Sequence, residues 1–377
     1  MNITFLIGNG FDIRMGIESA YKKVEAHYVA LEKTDERLKA FQKSMAENGE
    51  YWSNFESAIG QYTKEFNDHE QENFQFCLDD FTEELIQYLT TEEAKIDYEL
   101  CKEEIMNEFI RSLSNFAADI PQKYRNDIKW IIENGTALFF RFVSFNYTHI
   151  LDECLRCSFT DETVVGTHVS RGTHYKHLVN GDVLHIHGDL PGPIIMGVDN
   201  QDQILNKNWA GQRRFRQKLA KPEINSRAGT LVDEGVINLI KESNIICIYG
   251  MSLGVTDKTW WKLLGSWLRG SDRRLVLFSH SGNYSHTGFT HQRQFTIQDE
   301  LTDRFFDLAE IPNADRDNLE NKIIAIINPN LFNINLVELT DQKKKVAIIE
   351  KEAQAKELSA EYEKHQKISE LTGSKRP

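Results

Sequence analysis

Two histidines separated by one residue, His185 and His187 in "HIHG", are the side chains of this 377-residue chain best suited to proton chemistry. An imidazole titrates near neutrality, so one standing at a strand end can take a proton from water or a sugar hydroxyl. Alternation along a strand predicts both rings on one face, with Ile186 opposite. Two such histidines can also ligate a metal, but no carboxylate or third histidine stands at a ligating spacing nearby, and no metal is predicted. His187, followed directly by Gly188, is the better placed proton acceptor.

Three other apolar runs end in polar or glycine residues. The first, "ITFLI", runs into Gly8-Asn9-Gly10-Phe11-Asp12. Glycines there permit a tight turn and open backbone N–H groups to an anion. Asp12 can accept from a ribose hydroxyl or cap the next helix. The second run ends in "SFNYT", where Asn146 offers one acceptor and two donors, or caps a helix starting near Thr148. The third, "NIICIYGMSLG", brings Gly250, Ser252, Leu253 and Gly254 ahead of Asp257, a second glycine turn entering a helix. Each alone reads as a turn. Four such ends on one edge of one sheet read as a site.

Trp52 and Glu56 in "YWSNFESAI" share a helix face, either as a bundle anchor beside a solvated acid or as a reach toward a ligand. Cys154 and Cys157 form the only C-x-x-C, and a zinc ribbon needs a second pair. His168, His174 and His177 downstream fit no standard zinc pattern. "ILDECLRC" reads as an amphipathic helix with its thiols turned inward.

These residues need a scaffold, and the pattern supplies one. After the first strand, residues from about 18 to 134 show apolar positions at helical spacing among many Glu, Lys and Gln, which predicts an inserted helical block. Strands then return in "ALFFRFVSFNYT", "VLHIHG", "PIIMG", "NIICIYG" and "RRLVLFSHSGN", with a further strand near Phe306 to Ile311 and a helix over "DNLENKIIAIIN". Apolar strands alternating with helices predict an α/β fold with a mostly parallel sheet covered on both faces. Ligands of such sheets bind at the carboxyl ends of the strands. The expected division is 1–16 with 136–335 for the sheet domain, 17–135 for the helical insertion, and 336–377 for a charged helical tail. In that tail Val346, Ile349, Ala353 and Leu358 make a thin apolar stripe, a solvated face or a pairing surface for a homo-oligomer.

The net charge of −13 argues against an extensive nucleic-acid surface. The densest basic run, Arg213-Arg214-Phe215-Arg216 with Lys218 and Lys221, reads as a solvated helix face. No apolar stretch approaches a bilayer span, no signal-peptide layout opens the chain, and five scattered cysteines make no disulfide framework. A cytoplasmic protein is expected.

In order along the chain, "GNGFD", "WSNFE", "SFNYT", "HIHG" and "YGMSLGVTD" resemble the AbiH-type bacterial abortive-infection proteins, over residues 1 to about 330. That resemblance implies defence against phage. A more distant similarity is to sirtuins and bacterial NAD-consuming relatives, and it implies a sirtuin-like, Rossmann-like sheet around NAD. Asn146 falls where the sirtuin Asn stands, His187 at the catalytic His, and Gly250 with Ser252 at the later phosphate-side loop. "FNYT" lacks the flanking Gln and Asp, leaving Thr148 in the latter's place, and the two zinc-binding cysteine pairs are missing. Those departures argue against protein deacylation and leave cleavage of NAD.

The resemblance therefore implies hydrolysis of the nicotinamide–ribose bond with NAD as substrate. Gly8, Asn9, Gly10 and Phe11, with Gly250, Ser252, Leu253 and Asp257 across the cleft, would hold the dinucleotide. Asn146 would orient ribose and water, His187 would accept the proton, and Asp12 or Glu56 would face the charged sugar. A defensive NAD consumer must stay silent until infection, which implies a phage-derived trigger. Two alternatives stand beside this expectation: a non-catalytic nucleotide-binding sensor, and a nuclease or RNA-cleaving toxin using His185, His187, Asp12 and the Arg213–Lys221 cluster.

Overall fold

The computed structural model describes residues 1–47, 55–160, 163–280 and 291–373. Trp52 lies outside them. The chain opens with β1 (Asn2–Ile7) and α1 (Gly10–Met15), then α2 (Tyr21–Ala30), α3 (Glu36–Glu47), α4 (Phe55–Tyr62), α5 (Gln71–Glu93), α6 (Lys102–Ser114) and α7 (Gln122–Glu133). It continues through β2 (Leu138–Ser144), α8 (Ile150–Ser158), β3 (Val164–Ser170) and β4 (Thr173–His185). Short helices α9 (Lys207–Ala210), α10 (Arg213–Leu219) and α11 (Lys221–Ala228) precede α12 (Val232–Glu242). The rest alternates: β5 (Ile245–Tyr249), α13 (Lys258–Trp267), β6 (Arg274–Ser279), α14 (His291–Leu308), α15 (Asn313–Glu320), β7 (Ile323–Ile327) and α16 (Leu336–Gly373).

The strands form one seven-stranded sheet in the order β3-β4-β2-β1-β5-β6-β7. Every pairing is parallel except β3 with β4. Successive side chains of a strand point to opposite faces, and both faces here are covered. Phe5 and Ile7 pack with Phe109 of α6, Ile128 of α7 and Leu151 of α8, whereas Leu6 packs with Val236 of α12, Trp261 of α13 and Phe305 of α14. From β1 the chain builds β2 and β4 on one side, then crosses to build β5, β6 and β7 on the other. Connections leaving β1 and β5 therefore diverge, which opens a crevice beyond their carboxyl ends.

Several expectations are corrected. "IIAII" is not helical but the strand β7, and Phe306 to Leu308 closes helix α14 rather than forming a strand. A short, wholly apolar run fits a buried parallel strand as well as a helix, so periodicity alone misassigned it. "PIIMG" is not in a strand; a single bridge from Val198 to Ala220 follows it. The β3–β4 hairpin was not foreseen. It turns through Arg171 and Gly172, both at positive φ (50° and 80°), a turn whose twist suits antiparallel strands. The helices between β1 and β2 also divide: α6 and α7 cover the sheet, while α2 to α5 build a second core with Trp209, Phe215 and Leu219. Helix α16 begins at Leu336 and is anchored by buried Leu336 and Thr340. Among the described residues no helix is long and apolar enough to cross a membrane.

At the crevice the glycines serve close approach. The Gly8 N–H donates to the Tyr249 carbonyl at 2.9 Å and the Gly10 N–H to the Gly250 carbonyl at 2.7 Å. A Cβ on Gly10 would lie 2.8 Å from the Gly250 Cα, and one on Gly250, whose φ is 70°, would lie 2.6 Å from the Phe11 nitrogen. Backbone cannot yield as a flexible side chain does. Gly10→Ala, which helix propensity alone would make neutral or stabilising, is expected to destabilise by about 1–3 kcal/mol through overpacking, measured by urea unfolding. Gly172→Ala, at a positive φ with nothing within 4 Å, is the control and loses only about 1–2 kcal/mol of backbone strain.

Candidate functional site

The crevice is a cleft of about 1260 Å³ that runs along the carboxyl edge of the sheet. Glu56, Asn146, His187 and Asp257 line its near end, and Arg14, Ser279, His280 and Asn333 its far end, with the turns Gly8–Gly10 and Gly250–Gly254 between.

The near end is organised by a buried lysine. Lys221, first residue of α11, is 4% exposed. Its Nζ lies 2.7 Å from Glu56 Oε2 and 3.0 Å from Asp257 Oδ1. Burial alone would pull the ammonium pKa down, but Asp257 and Glu56 outweigh it and hold it raised. For Asp257 burial pushes upward, and Lys221 with His187 overrides it, leaving the carboxyl well below the usual range. Asp257 is therefore an anion, and its Oδ1 accepts from His187 Nε2 at 3.0 Å. With that hydrogen on Nε2, the bare nitrogen of the ring is Nδ1, which is buried without a partner among the described residues. A carboxylate fixing one ring nitrogen leaves the other as a proton acceptor.

Beside it, Asn146 Nδ2 donates to Asp12 Oδ1 at 2.7 Å and to the Gly8 carbonyl at 3.2 Å. Both amide hydrogens are spent, and its Oδ1 is buried with no partner among the described residues. Thr148 Oγ1 donates to Asp12 Oδ2 at 2.6 Å. Asp12 and Thr148 thus form a clamp behind the cleft, around a void of about 40 Å³, and do not line the cleft itself. Burial pushes Asp12 up to about 7 against the pull of Thr148 and Asn146.

The other sequence-predicted residues divide. Gly8, Asn9, Gly10, Gly250, Ser252, Leu253, Asp257 and Glu56 join Asn146 and His187 along the cleft. The N–H groups of Gly8 and Gly10 are already engaged, so an anion seat cannot be made from them. Those of Met251, Ser252 and Leu253 carry no hydrogen bond among the described residues. Leu253 sits at φ 50°, with its carbonyl held by Arg304 Nε at 3.1 Å. Phe11 points away from the cleft, its ring fully buried against Phe109, Tyr249 and Phe332. The two histidines part: β4 ends at His185, whose Nε2 bonds Asp152 at 3.0 Å, while His187 lies beyond the strand and turns to Asp257. Cys154 and Cys157 are buried in the sheet core, His168 and His177 pair with each other at 3.0 Å, and His174 is exposed. Among the described residues no group of three or more His, Cys, Asp or Glu could hold a metal. Arg213 and Arg214 are exposed and Arg216 pairs with Glu223 at 2.6 Å.

Lys221 was missed, read as part of that solvated basic run. Nothing in "LAKPE" distinguishes it. Its burial comes from the bridge of residues 219–221 to Val198, where the Lys221 N–H donates to the Val198 carbonyl at 2.8 Å. A side chamber of about 300 Å³ was also unforeseen. It shares His187, Thr256 and Asp257 with the cleft and is walled by Trp260, Asp233 and Asn225. Asn225 Nδ2 donates to Asp233 at 2.8 Å, and Asn225 Oδ1 is buried with no partner among the described residues.

Removing one member of a buried pair leaves an uncompensated charge. Lys221→Met is expected to lose about 3–5 kcal/mol in urea unfolding, and adding Glu56→Gln to recover part of that loss. Asp12 gives a pH signature. Its folded pKa of about 7 stands above its ordinary 3.8, so its contribution is complete below pH 3.8 and lost as pH rises toward and through 7. Asp12→Asn is expected to flatten that decline, seen as a wild-type minus variant stability difference that worsens for wild type across this window.

Compared with known proteins, the chain matches no curated protein. The family model described as "Bacteriophage abortive infection AbiH" matches residues 4–279. That span runs from within β1 to the end of β6 and takes in both glycine turns and the Lys221 cluster, and the chain belongs to the AbiH family.

Proposed function

We propose that this protein is an abortive-infection effector that hydrolyses NAD at its nicotinamide–ribose bond. The observation that carries the reading is the near end of the cleft. There His187, oriented by Asp257, and Asn146 line the same cleft, and among the described residues His187 Nδ1 and Asn146 Oδ1 are both buried without a partner. The glycosidic C–N bond breaks with its electron pair leaving on nicotinamide. Water, placed by Asn146 Oδ1, adds to the ribose carbon and gives its proton to His187 Nδ1. The products are ADP-ribose, nicotinamide and a proton. The Glu56 and Asp257 carboxylates favour positive charge developing on the sugar.

Two further features support a dinucleotide. In chain order the parallel strands stand 3-2-1-4-5-6, the order of Rossmann-type dinucleotide-binding sheets. From the end of β4 to the end of β6 are four strand spacings, about 19 Å, long enough for two linked nucleotides. The open N–H groups of Met251, Ser252 and Leu253 suit the pyrophosphate midway. The side chamber, with Asn225 Oδ1 seeking a donor, has room for the departing carboxamide ring.

The test is nicotinamide release, followed by chromatography, in phage-infected cells expressing the protein and with protein purified from them. Wild type is expected to deplete NAD, and His187→Ala and Asn146→Ala each to lose about 100-fold or more in rate while retaining fold by circular dichroism. Growth arrest with intact NAD would overturn the assignment. Tight ADP-ribose binding without turnover would favour the sensor alternative.

A further inference from the structure

The far end of the cleft carries a positive charge that no carboxylate among the described residues neutralises. Arg14, in the last turn of α1, lines the cleft there. Its guanidinium donates through a terminal nitrogen to the side-chain oxygen of Asn333, a neutral acceptor. Among the described residues its Nε is buried without a partner and Arg14 makes no ion pair. Glu108 on α6 is engaged by Arg111, Ser112 and the Asn333 N–H.

The contrast with the other inward-facing cations is instructive. Lys33 meets Asp80 and Glu84, and Lys221 meets Glu56 and Asp257. In a chain of net charge −13, carboxylates are plentiful, yet Arg14 is steadied by an amide. An amide fixes the fork without cancelling its charge, which leaves the remaining N–H groups for an oxyanion from outside. The neighbours are polar and neutral. Ser279, Asn335 and His280 line the same lobe. Burial and the Arg14 charge lower the His280 pKa, so that ring is uncharged at pH 7.

We infer that this lobe is a subsite for a phosphate monoester on the adenosine ribose, with Arg14 as the residue that reads it. The inference rests on the dinucleotide reading above: with the reacting ribose at His187 and the pyrophosphate at the central turns, the adenosine end falls at β6 and β7. The cleft then prefers a 2′- or 3′-phosphorylated adenine nucleotide over its unphosphorylated counterpart.

Calorimetry on the full chain at fixed ionic strength tests it, with AMP, 2′,5′-ADP, 3′,5′-ADP and ADP-ribose as probes. One bisphosphate is expected to bind about tenfold or more tighter than AMP, and Arg14→Gln to bring that ratio to about one. Which bisphosphate wins assigns the 2′ or 3′ position. Arg14→Lys, which keeps charge without the fork, is expected to keep only part of the preference, and matched melting temperatures exclude misfolding as the cause. Bisphosphates no tighter than AMP in wild type would overturn the subsite. So would an Arg14→Gln variant that weakens ADP-ribose as much as the bisphosphate, since Arg14 would then serve the pyrophosphate. If ADP-ribose fails to bind while a bisphosphate binds through Arg14, the subsite stands and the NAD reading falls.

Discussion

The near end of the cleft exists because one ammonium is held out of water between two carboxylates. Lys221 joins segments remote in sequence: Glu56 from the inserted helices, Asp257 at the entry to α13, and His187 just past β4. Moving such charges indoors costs several kcal/mol each, and only mutual compensation makes it tolerable. The arrangement is therefore all or nothing. With the cation in place Asp257 stays ionised and orients His187; without it two acids would crowd a dry site and one would take a proton. The same lysine connects the second core of α2 to α5 with the sheet edge, so packing of the insertion and electrostatics of the cleft are one problem.

A second constraint is steric. The turn after β1 and the turn after β5 touch through Gly8, Gly10 and Gly250, with backbone where side chains would normally stand. That contact brings α1 and the β5 turn close enough to frame a single crevice. It also redistributes the donors: Gly8 and Gly10 spend their N–H groups on the second turn, while those of Met251, Ser252 and Leu253 carry no hydrogen bond among the described residues. The glycine pattern marks this crevice for a reason other than the expected one, since absence of a Cβ serves both anion approach and chain approach.

Much of the scaffold was legible. β1, β2, β5 and β6 announced themselves as dense apolar runs ending in polar residues, and the helical block by its period. β7 was not, because "IIAII" carries no periodicity, and β3 was not, because its sequence alternates weakly and its turn, Arg171-Gly172, is not among the strongest hairpin signals. At the candidate site, Asn146, His187 and Asp257 were legible as polar groups at strand ends and turns, and Glu56 as an acid sharing a helix face with Trp52. Their partners were not. Lys221 owes its burial to a bridge with Val198, a tertiary event without a local signature, and the retreat of Asp12 behind Asn146 depends on two hydrogen bonds across more than 130 residues.

Helix α16 has a different consequence. Its start is tied down by Leu336, Thr340 and the Lys343–Glu104 pair, but every described side chain from Ile348 to His365 is exposed. Those 18 residues make about 27 Å of rod with no tertiary surface to melt against. Their cohesion comes from their own i→i−4 hydrogen bonds and neighbouring side chains, which gives marginal stability at that length. Amide exchange there is expected to follow local fraying, fast and independent of denaturant, and the amides of β1 and β5 to open only with the whole domain.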